Sequence, residues 1–441
     1  MISDFFPQEV VADILLRLPD KTLGNCLCVC KSWYTFITSP TFIAKHFNKR
    51  KNNGRRLLFR QFYASNRVCY SFHVDNSSFV KCQDLYFPLQ SFRHSRVVGS
   101  CNGVLCLSES ILIRTCKIFL WNPTIRKFLS LPPPPVSFSH YSTHVYDLGF
   151  GFDCLSDDYK VVVLWFPKRE HGNASPSRPQ VFVYSLSTNS WRNISAMALP
   201  PFKVVRFHMT QAYVNGAIHW VASGGINRLT DDELHSDFIL RFNVSDERFD
   251  RMCLPKCSAT NGTWKLVASS LHKQLSAARY DRDRLHFDCS IWTMKEYGVS
   301  ESWTMPHMVS LGPTGRNRRW TCVLGSMGDG DLILFRDMDQ LYSYEPVSGR
   351  LRHLGIYGLE GSSYLNNFTE SIALLGQGKT ILNENVVESL VLPSQVSKNM
   401  EEENNQSKTR KRSGRNVTGF LRKCIYLIQK GCNKQGTDQH I

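Results

Sequence analysis

Six times between residues 69 and 355 the sequence repeats one local plan: an alternating apolar run, a polar turn, then a second run that opens on a large apolar residue. VFVYSLSTNSWRNI (181–194) is the clearest copy. IFLWNPTIRKFLSLP (118–132), FILRFNVSDERFDRMCLP (238–255), CSIWTMKEYGVSESWTMP (289–306) and LYSYEPVSGRLRHLG (341–355) share its layout, and CYSFHVDNSSFVKCQDL (69–85) is a weaker version. Alternation at period two, broken by Asn, Asp, Gly and Ser, is the pattern of paired strands bounded by tight turns. With Phe79, Phe128, Trp191, Phe249, Trp303 and Leu351 taken as equivalent points, the repeat is irregular, with a period of roughly 50 residues.

A second set of hairpins lies between these units. In SCNGVLCLS (100–108), AYVNGAIHWVAS (212–223) and MGDGDLILF (327–335), Asn-Gly or Asp-Gly sits between apolar runs, where a two-residue hairpin turn needs positive φ. Two hairpins per repeat make four strands, the layout of a propeller blade. The expected fold for residues 61–394 is therefore all-β: an irregular, kelch-like β-propeller of about six or more blades. Ring closure leaves no mark in the pattern.

The first 48 residues follow a different period. Val10, Val11, Ile14, Leu15 and Leu18 form one wide helical face, which Pro19 stops. A second helix is expected after Asp20, with Leu23, Cys26, Leu27 and Cys30 inward. Trp33, Phe36 and Ile37 continue its pattern until Ser39-Pro40 ends it. Two or three short helices of this kind carry more apolar surface than they can bury among themselves, so the all-α module needs a partner.

Charge divides the chain further. The net charge is +16, but seven Lys and Arg with no acid fall between Lys45 and Arg60, and ten against four acids fall between 398 and 441. The region between is close to neutral, which argues against nucleic acid as the main partner. The expected plan is a helical module at 1–48, a basic linker at 49–60 acting as a spacer, the β domain at 61–394 and a disordered basic tail at 395–441. Met1 to Phe6 lack the features of a secretory signal, and no run of 18 apolar residues occurs, so the expectation is a soluble intracellular protein with no membrane partner. Its 15 cysteines then read as thiols.

Sites of chemistry are sparse. Cys26, Cys28 and Cys30 alternate in a way that splays ligands on a helix, and they are expected to pack in the core. Cys253 and Cys257 have zinc-like spacing without a second pair. His208, His219, His286 and His353 stand singly on strand-like runs, and His219 is expected to be structural. Asp157-Asp158 and Asp231-Asp232-Glu233 read as solvated turns, and Pro132 to Pro135 as a stiff connection between blades. There is no phosphate loop, nucleophile elbow or His-Glu-x-x-His. No catalytic residue, metal or cofactor is expected.

The opening segment resembles the F-box motif: Phe6-Pro7-x-Glu9-Val10, Ile14-Leu15-x-Arg17-Leu18-Pro19, Leu23, Val29-Cys30-Lys31-x-Trp33, Ile37 and Pro40-x-Phe42. One departure is Leu27, where plant members often carry Arg. Residues 97 to about 375 resemble the F-box-associated region of plant families through Gly99-Ser-Cys-Asn-Gly-Val-Leu, Leu120-Trp-Asn-Pro-Thr-x-Arg-Lys, Gly149-Phe-Gly-Phe-Asp, Asp158-Tyr-Lys-Val-Val, Val183-Tyr-Ser-Leu and Val214-Asn-Gly-x-x-His-Trp. The resemblance implies a non-catalytic substrate-recognition subunit of an SCF-type E3 ubiquitin ligase. On it, Phe6, Pro7, Val10, Ile14, Leu15, Leu18, Pro19, Leu23, Leu27, Val29, Cys30, Trp33 and Ile37 contact a Skp-type adaptor or shape the surface that does. A cullin and a RING subunit follow through that adaptor, and the β domain holds a protein target by loops at one mouth. Alternatives from other classes are a propeller enzyme or glycan-binding module, and nucleic-acid binding by the basic linker and tail.

Lys408, Arg410, Lys411, Arg412 and Arg415 form a basic run that reads either as a nuclear-localisation stretch or as a solvated disordered segment. The targeting reading places the protein in nucleus and cytoplasm. It predicts that removing residues 398–441 shifts a fluorescently tagged chain toward the cytoplasm, and an unchanged distribution in live cells would sink it.

Overall fold

The computed structural model describes residues 7–50, 56–62, 68–85, 96–108, 117–136, 145–166, 179–195, 202–204, 211–224, 237–256, 262–268, 274–282, 286–313, 322–336, 340–357, 363–377 and 379–380. These belong to the first of two units, 1–384 and 385–441. Phe6, His208, Cys257, Asp231 to Glu233, the side chain of His286, and the tail with Lys408 to Arg415 lie outside the described residues.

Four helices open the chain: α1 (Gln8–Arg17), α2 (Asp20–Cys26), α3 (Lys31–Ile37) and α4 (Pro40–Arg50). Pro19 forces Leu18 into an extended conformation at φ −71 and ψ 147, which ends α1. Pro40 does not end the helical pattern as expected. It opens α4, where its missing N–H costs nothing, and the Ser39 hydroxyl accepts the Phe42 amide at 3.3 Å as a cap. The basic stretch is likewise not a linker from 49 to 60. Lys45 and Lys49 lie on α4, while Arg56 and Arg60 already belong to the first strand, so only 51–55 join the two.

Six antiparallel sheets follow. The first contains β1 (Arg56–Phe62), β2 (Val68–Val74) and β3 (Lys81–Leu85). The second contains β4 (Arg96–Cys101), β5 (Val104–Ser108), β6 (Ile118–Asn122) and β7 (Lys127–Ser130). β8 (Val145–Asp153), β9 (Asp158–Phe166), β10 (Gln180–Ser185) and β11 (Ser190–Asn193) make the third. In the fourth, β12 (Phe202–Val204) and β13 (Ala212–Val214) both pair with β14 (Ala217–Gly224), followed by β15 (Asp237–Asn243) and β16 (Arg248–Cys253). The fifth is β17 (Gly262–Ala268), β18 (Leu275–Arg282), β19 (His286–Met294) and β20 (Trp303–Pro313). The sixth is β21 (Cys322–Ser326), β22 (Leu332–Arg336), β23 (Gln340–Glu345) and β24 (Arg350–Tyr357).

Two late strands return to the early sheets. β25 (Tyr364–Phe368) becomes the innermost strand of the first sheet, with Arg56 opposite Phe368 and Arg60 opposite Tyr364. β26 (Lys379–Thr380) adds to the outer edge of the second, against β7. The inner strands touch in a circuit: β25 with β4, β4 with β8, β8 with β14, β14 through its partner β13 with β17, β17 with β21 and β21 with β25. The fold is a six-bladed β-propeller whose last sequence-contiguous strand closes the ring on the first.

The points taken as equivalent in sequence are equivalent in space. Phe128, Trp191, Phe249, Trp303 and Leu351 lie on the fourth strands of their blades, and Phe79 just before one. The two tryptophans tie neighbouring blades: Trp191 Nε1 donates to the Pro132 carbonyl at 2.8 Å, and Trp303 Nε1 to that of Cys253 at 3.0 Å. Pro132 is therefore part of an inter-blade connection. The expected Asn-Gly turns are present, with positive φ at Asn102, Gly103, Asn215 and Gly216.

The apolar cores lie between blades, so middle strands are buried on both faces. On β9, Val161, Val163 and Trp165 pack toward the second blade while Val162 and Leu164 pack toward the fourth. Polar clasps cross the same gaps. The buried Lys160 ammonium lies 2.8 Å from Asp153 and 3.0 Å from Glu247, and donates to the Val244 carbonyl at 3.0 Å. Burial opposes the Asp153 charge, but bonds from Lys160, Ser245, Ser156 and the Leu155 amide outweigh it and hold the carboxyl well below its usual range. Asp158 corrects the expectation of a solvated turn. It is buried and accepts bonds from the Ser185 and Ser187 hydroxyls and the Ser187 amide.

His219 is structural, as expected: its ring meets the Ala212 carbonyl at 3.2 Å and the Tyr297 hydroxyl at 2.8 Å. Burial lowers its pKa from 6.5 to about 4. Asp153 and His219 both have folded-state values below their unfolded ones, so each contributes stability at neutral pH that is lost on acidification. His219 acts first, between pH 6.5 and about 4. Denaturant titrations should lose about 3 kcal/mol over that interval, and His219→Gln should remove that part of the pH dependence. Lys160→Met leaves the buried Asp153 carboxylate without its cation, while Glu247 keeps Arg192, and should cost about 3–5 kcal/mol at pH 7 in the same measurement.

Candidate protein-docking surface

The helical module separates its apolar residues into a closed core and an open face. Leu15, Leu23, Ile37 and Phe42 are buried together with Ile372 and Leu375, which follow β25. Val11, Leu16, Leu18, Leu27, Trp33 and Ile125 pack around them, partly buried. His46 locks α4 to the end of α1: it is fully buried, with Nε2 3.0 Å from the Leu18 carbonyl and Nδ1 3.6 Å from Asp20. On the other side Pro7, Val10, Ile14, Pro19, Val29 and Tyr34 are exposed, Ile14 at 52% and Val29 at 59%. Ile14 and Leu15 face opposite ways because successive helical residues point about 100° apart.

The surface is apolar with a charged rim. Asp13 pairs with Arg17 at 2.6 Å and with Lys49 at 3.2 Å, and their hydrogen bonds lower its pKa. Exposed apolar residues carried on a closed core are the kind of surface at which protein chains meet.

The residues expected to touch an adaptor therefore fall into three groups. Pro7, Val10, Ile14, Pro19, Val29 and Cys30 are exposed and available. Leu18, Leu27 and Trp33 are half-buried. Leu15, Leu23 and Ile37 are buried and shape the surface from within rather than touching a partner. Tyr34 is exposed as well, and Phe36, which was expected inward, is 40% exposed at the rim of the core with its ring edge-on to Phe42 at 5.0 Å. Residues 27–30 are turn, so α3 begins a new helical phase at Lys31 that the phase of α2 does not predict. The same break exposes Cys28 and Cys30, which were expected in the core. The Cys30 thiol accepts the Trp33 amide at 3.5 Å. Among the described residues no cluster of three or more His, Cys, Asp or Glu is placed to hold a metal ion.

The propeller offers less. Its centre holds a cavity of about 40 Å³ lined by Gln211, Lys265, Ser326, Ser363, Tyr364 and Asn366. That is room for water, not for a metabolite. Lys265 is already engaged, donating to the Val323 carbonyl at 2.7 Å. The helices sit at the end of the ring where the first-to-second and third-to-fourth strand turns lie. The remaining connections leave from the other end and include 63–67, 86–95, 109–116, 167–178 and 225–236. Those connections lie outside the described residues, and the mouth at which target-binding loops were expected is not distinguished.

Comparison with known proteins agrees with this division. Residues 61–321 match the F-box associated beta propeller domain, more than half of the chain, and residues 5–45 match the F-box domain. F-box protein CPR1 of Arabidopsis thaliana is 29% identical over 309 residues, spanning 68% of this chain and 71% of that protein. Another F-box protein of the same plant is 26% identical over 398 residues, spanning 80% and 88%. An F-box/kelch-repeat protein from it is 26% identical over 307 residues, spanning 68% and 78%. A helical docking module fused to a propeller defines a class of receptor proteins. This chain belongs to the plant family that joins an F-box to an F-box associated β-propeller. In general such proteins are non-catalytic and serve SCF ligases in substrate recognition, their F-box binding a Skp-type adaptor.

The two faces of α1 predict opposite outcomes for adjacent substitutions. Ile14→Asp, at an exposed position, should change the midpoint of thermal unfolding little. Leu15→Asp buries a charge in the module core and should unfold α1 to α4, seen as lost helical circular dichroism.

Proposed function

We propose that this chain is the substrate-recognition subunit of an SCF-type E3 ubiquitin ligase. The exposed apolar residues Val10, Ile14, Val29 and Tyr34 bind a Skp-type adaptor, which leads to a cullin and a RING subunit. The propeller holds a protein target. The chain itself forms and breaks no covalent bond; it contributes proximity, which makes transfer of ubiquitin to a bound target effectively unimolecular. The observation that carries this reading is an apolar face left open on a module whose core is otherwise complete. Nucleus and cytoplasm are the proposed locations, on the strength of the basic run at 408–415.

Co-expression with a Skp-type adaptor tests the proposal. The wild-type chain should co-purify with the adaptor, and Ile14→Asp with Val29→Asp should abolish capture while the propeller keeps its melting temperature. A folded wild-type chain that stays monomeric beside excess adaptor would overturn it.

A further inference from the structure

The docking helices do not close their own core. Ile372 and Leu375, which complete it, lie in a segment at 369–377 directly after the ring-closing strand β25. The same segment faces two ways. Ala373 and Leu374 belong to the core between the second and third blades, while Ile372 and Leu375 belong to the core of the helices. It is a strap stretched between the receptor and the docking module.

Its anchor is Asn122, at the end of β6. The side chain is completely buried, and its amide donates to the Ser371 carbonyl at 2.9 Å and the Ala373 carbonyl at 2.8 Å. Its oxygen accepts the Thr124 amide at 3.0 Å, which shapes the turn that brings Ile125 against the helices. Ser371 adds a bond to the Asn102 carbonyl at 2.8 Å. Gly103, at φ +77, leaves the space Ser371 occupies; a Cβ there would stand 2.3 Å from the Ser371 hydroxyl. At the near end of the strap Glu370 pairs with Arg56 of β1 at 2.9 Å. The Asn-Pro-Thr and Asn-Gly motifs of the second blade thus converge on one job, seating the strap.

We infer that Asn122 is a positioning residue that makes the docking surface conditional on a completed propeller. The inference rests on the adaptor-docking reading of the helices. The strap can reach its seat only after β25 has paired with β1, and only a folded second blade presents Asn122. Ile372 and Leu375 then fill the gap among Leu15, Leu23, Ile37 and Phe42. The helices are made first but gain a closed core last, so a chain with an unfinished receptor presents no ordered adaptor surface. The strap also fixes the orientation of receptor to adaptor, which a flexible spacer would leave free.

Hydrogen exchange on the free full-length chain, with adaptor capture measured in parallel, tests this. Two variants are compared with wild type: Asn122→Asp, which keeps the shape but loses the donors, and Ile372→Ala with Leu375→Ala, which leaves the receptor side of the strap intact. In both, α1 to α3 should exchange faster by about tenfold or more, β8 to β20 should keep wild-type protection, and adaptor capture should fall. Wild-type protection of α1 to α3 in either variant overturns the inference, as does loss of protection in the double variant spread equally over all six blades. Because the exchange is read without adaptor, a wild-type chain with protected helices that captures no adaptor would defeat the adaptor-docking reading and leave the strap standing.

Discussion

The pairing of β25 with β1 is the interaction on which the rest of this molecule depends. A propeller blade cannot bury its own faces; each core lies between neighbours, so the stack is stable only when it closes into a ring. Here closure is made by backbone hydrogen bonds between residues 364–368 and 56–60, at opposite ends of the domain. That contact pays a large loop-closure entropy at once, after which the other inter-blade contacts are local. The tryptophan ties at Trp191 and Trp303 and the Lys160 clasp then reinforce single gaps.

Closure also determines what happens at the N-terminus. A module of four short helices is below the size at which a hydrophobic core sustains itself. Its apolar surplus was expected to be met entirely by a partner protein. Instead the surplus divides. The inward half is met by Ile372 and Leu375 from the same chain, and the outward half, from Val10 to Tyr34, stays open. The helices are therefore held against the receptor rather than carried on a spacer.

Much of this was legible in residue patterns and some was not, for definite reasons. Period-two runs with polar turns located six hairpins that end on the fourth strands of the blades, because alternation is a local consequence of half-burial. The Asn-Gly turns were equally plain, because positive φ selects those residues. Phase across a break was not legible: residues 27–30 reset the helical rotation, which left Cys30 outside the core. Asp158 looked like a solvated turn residue, because its serine partners sit on a separate hairpin. The charge of residues 45–60 suggested a linker, although the same residues extend a helix and begin a strand.

What the sequence determined by itself is the kind of each element and the identity of the family: helix at the start, strand pairs thereafter, turns between, and the F-box motif. The kinds of element follow from periodicity and local backbone preference, which nearest neighbours along the chain suffice to set; the family follows from the resemblance of whole motifs. What only the tertiary structure decided is every relation between distant segments: the count of six blades closed by β25, the strap across Asn122, and which of two adjacent residues, Ile14 or Leu15, faces outward for a partner. Those depend on contacts between residues hundreds of positions apart. Neither partner of such a contact carries a local mark of the other.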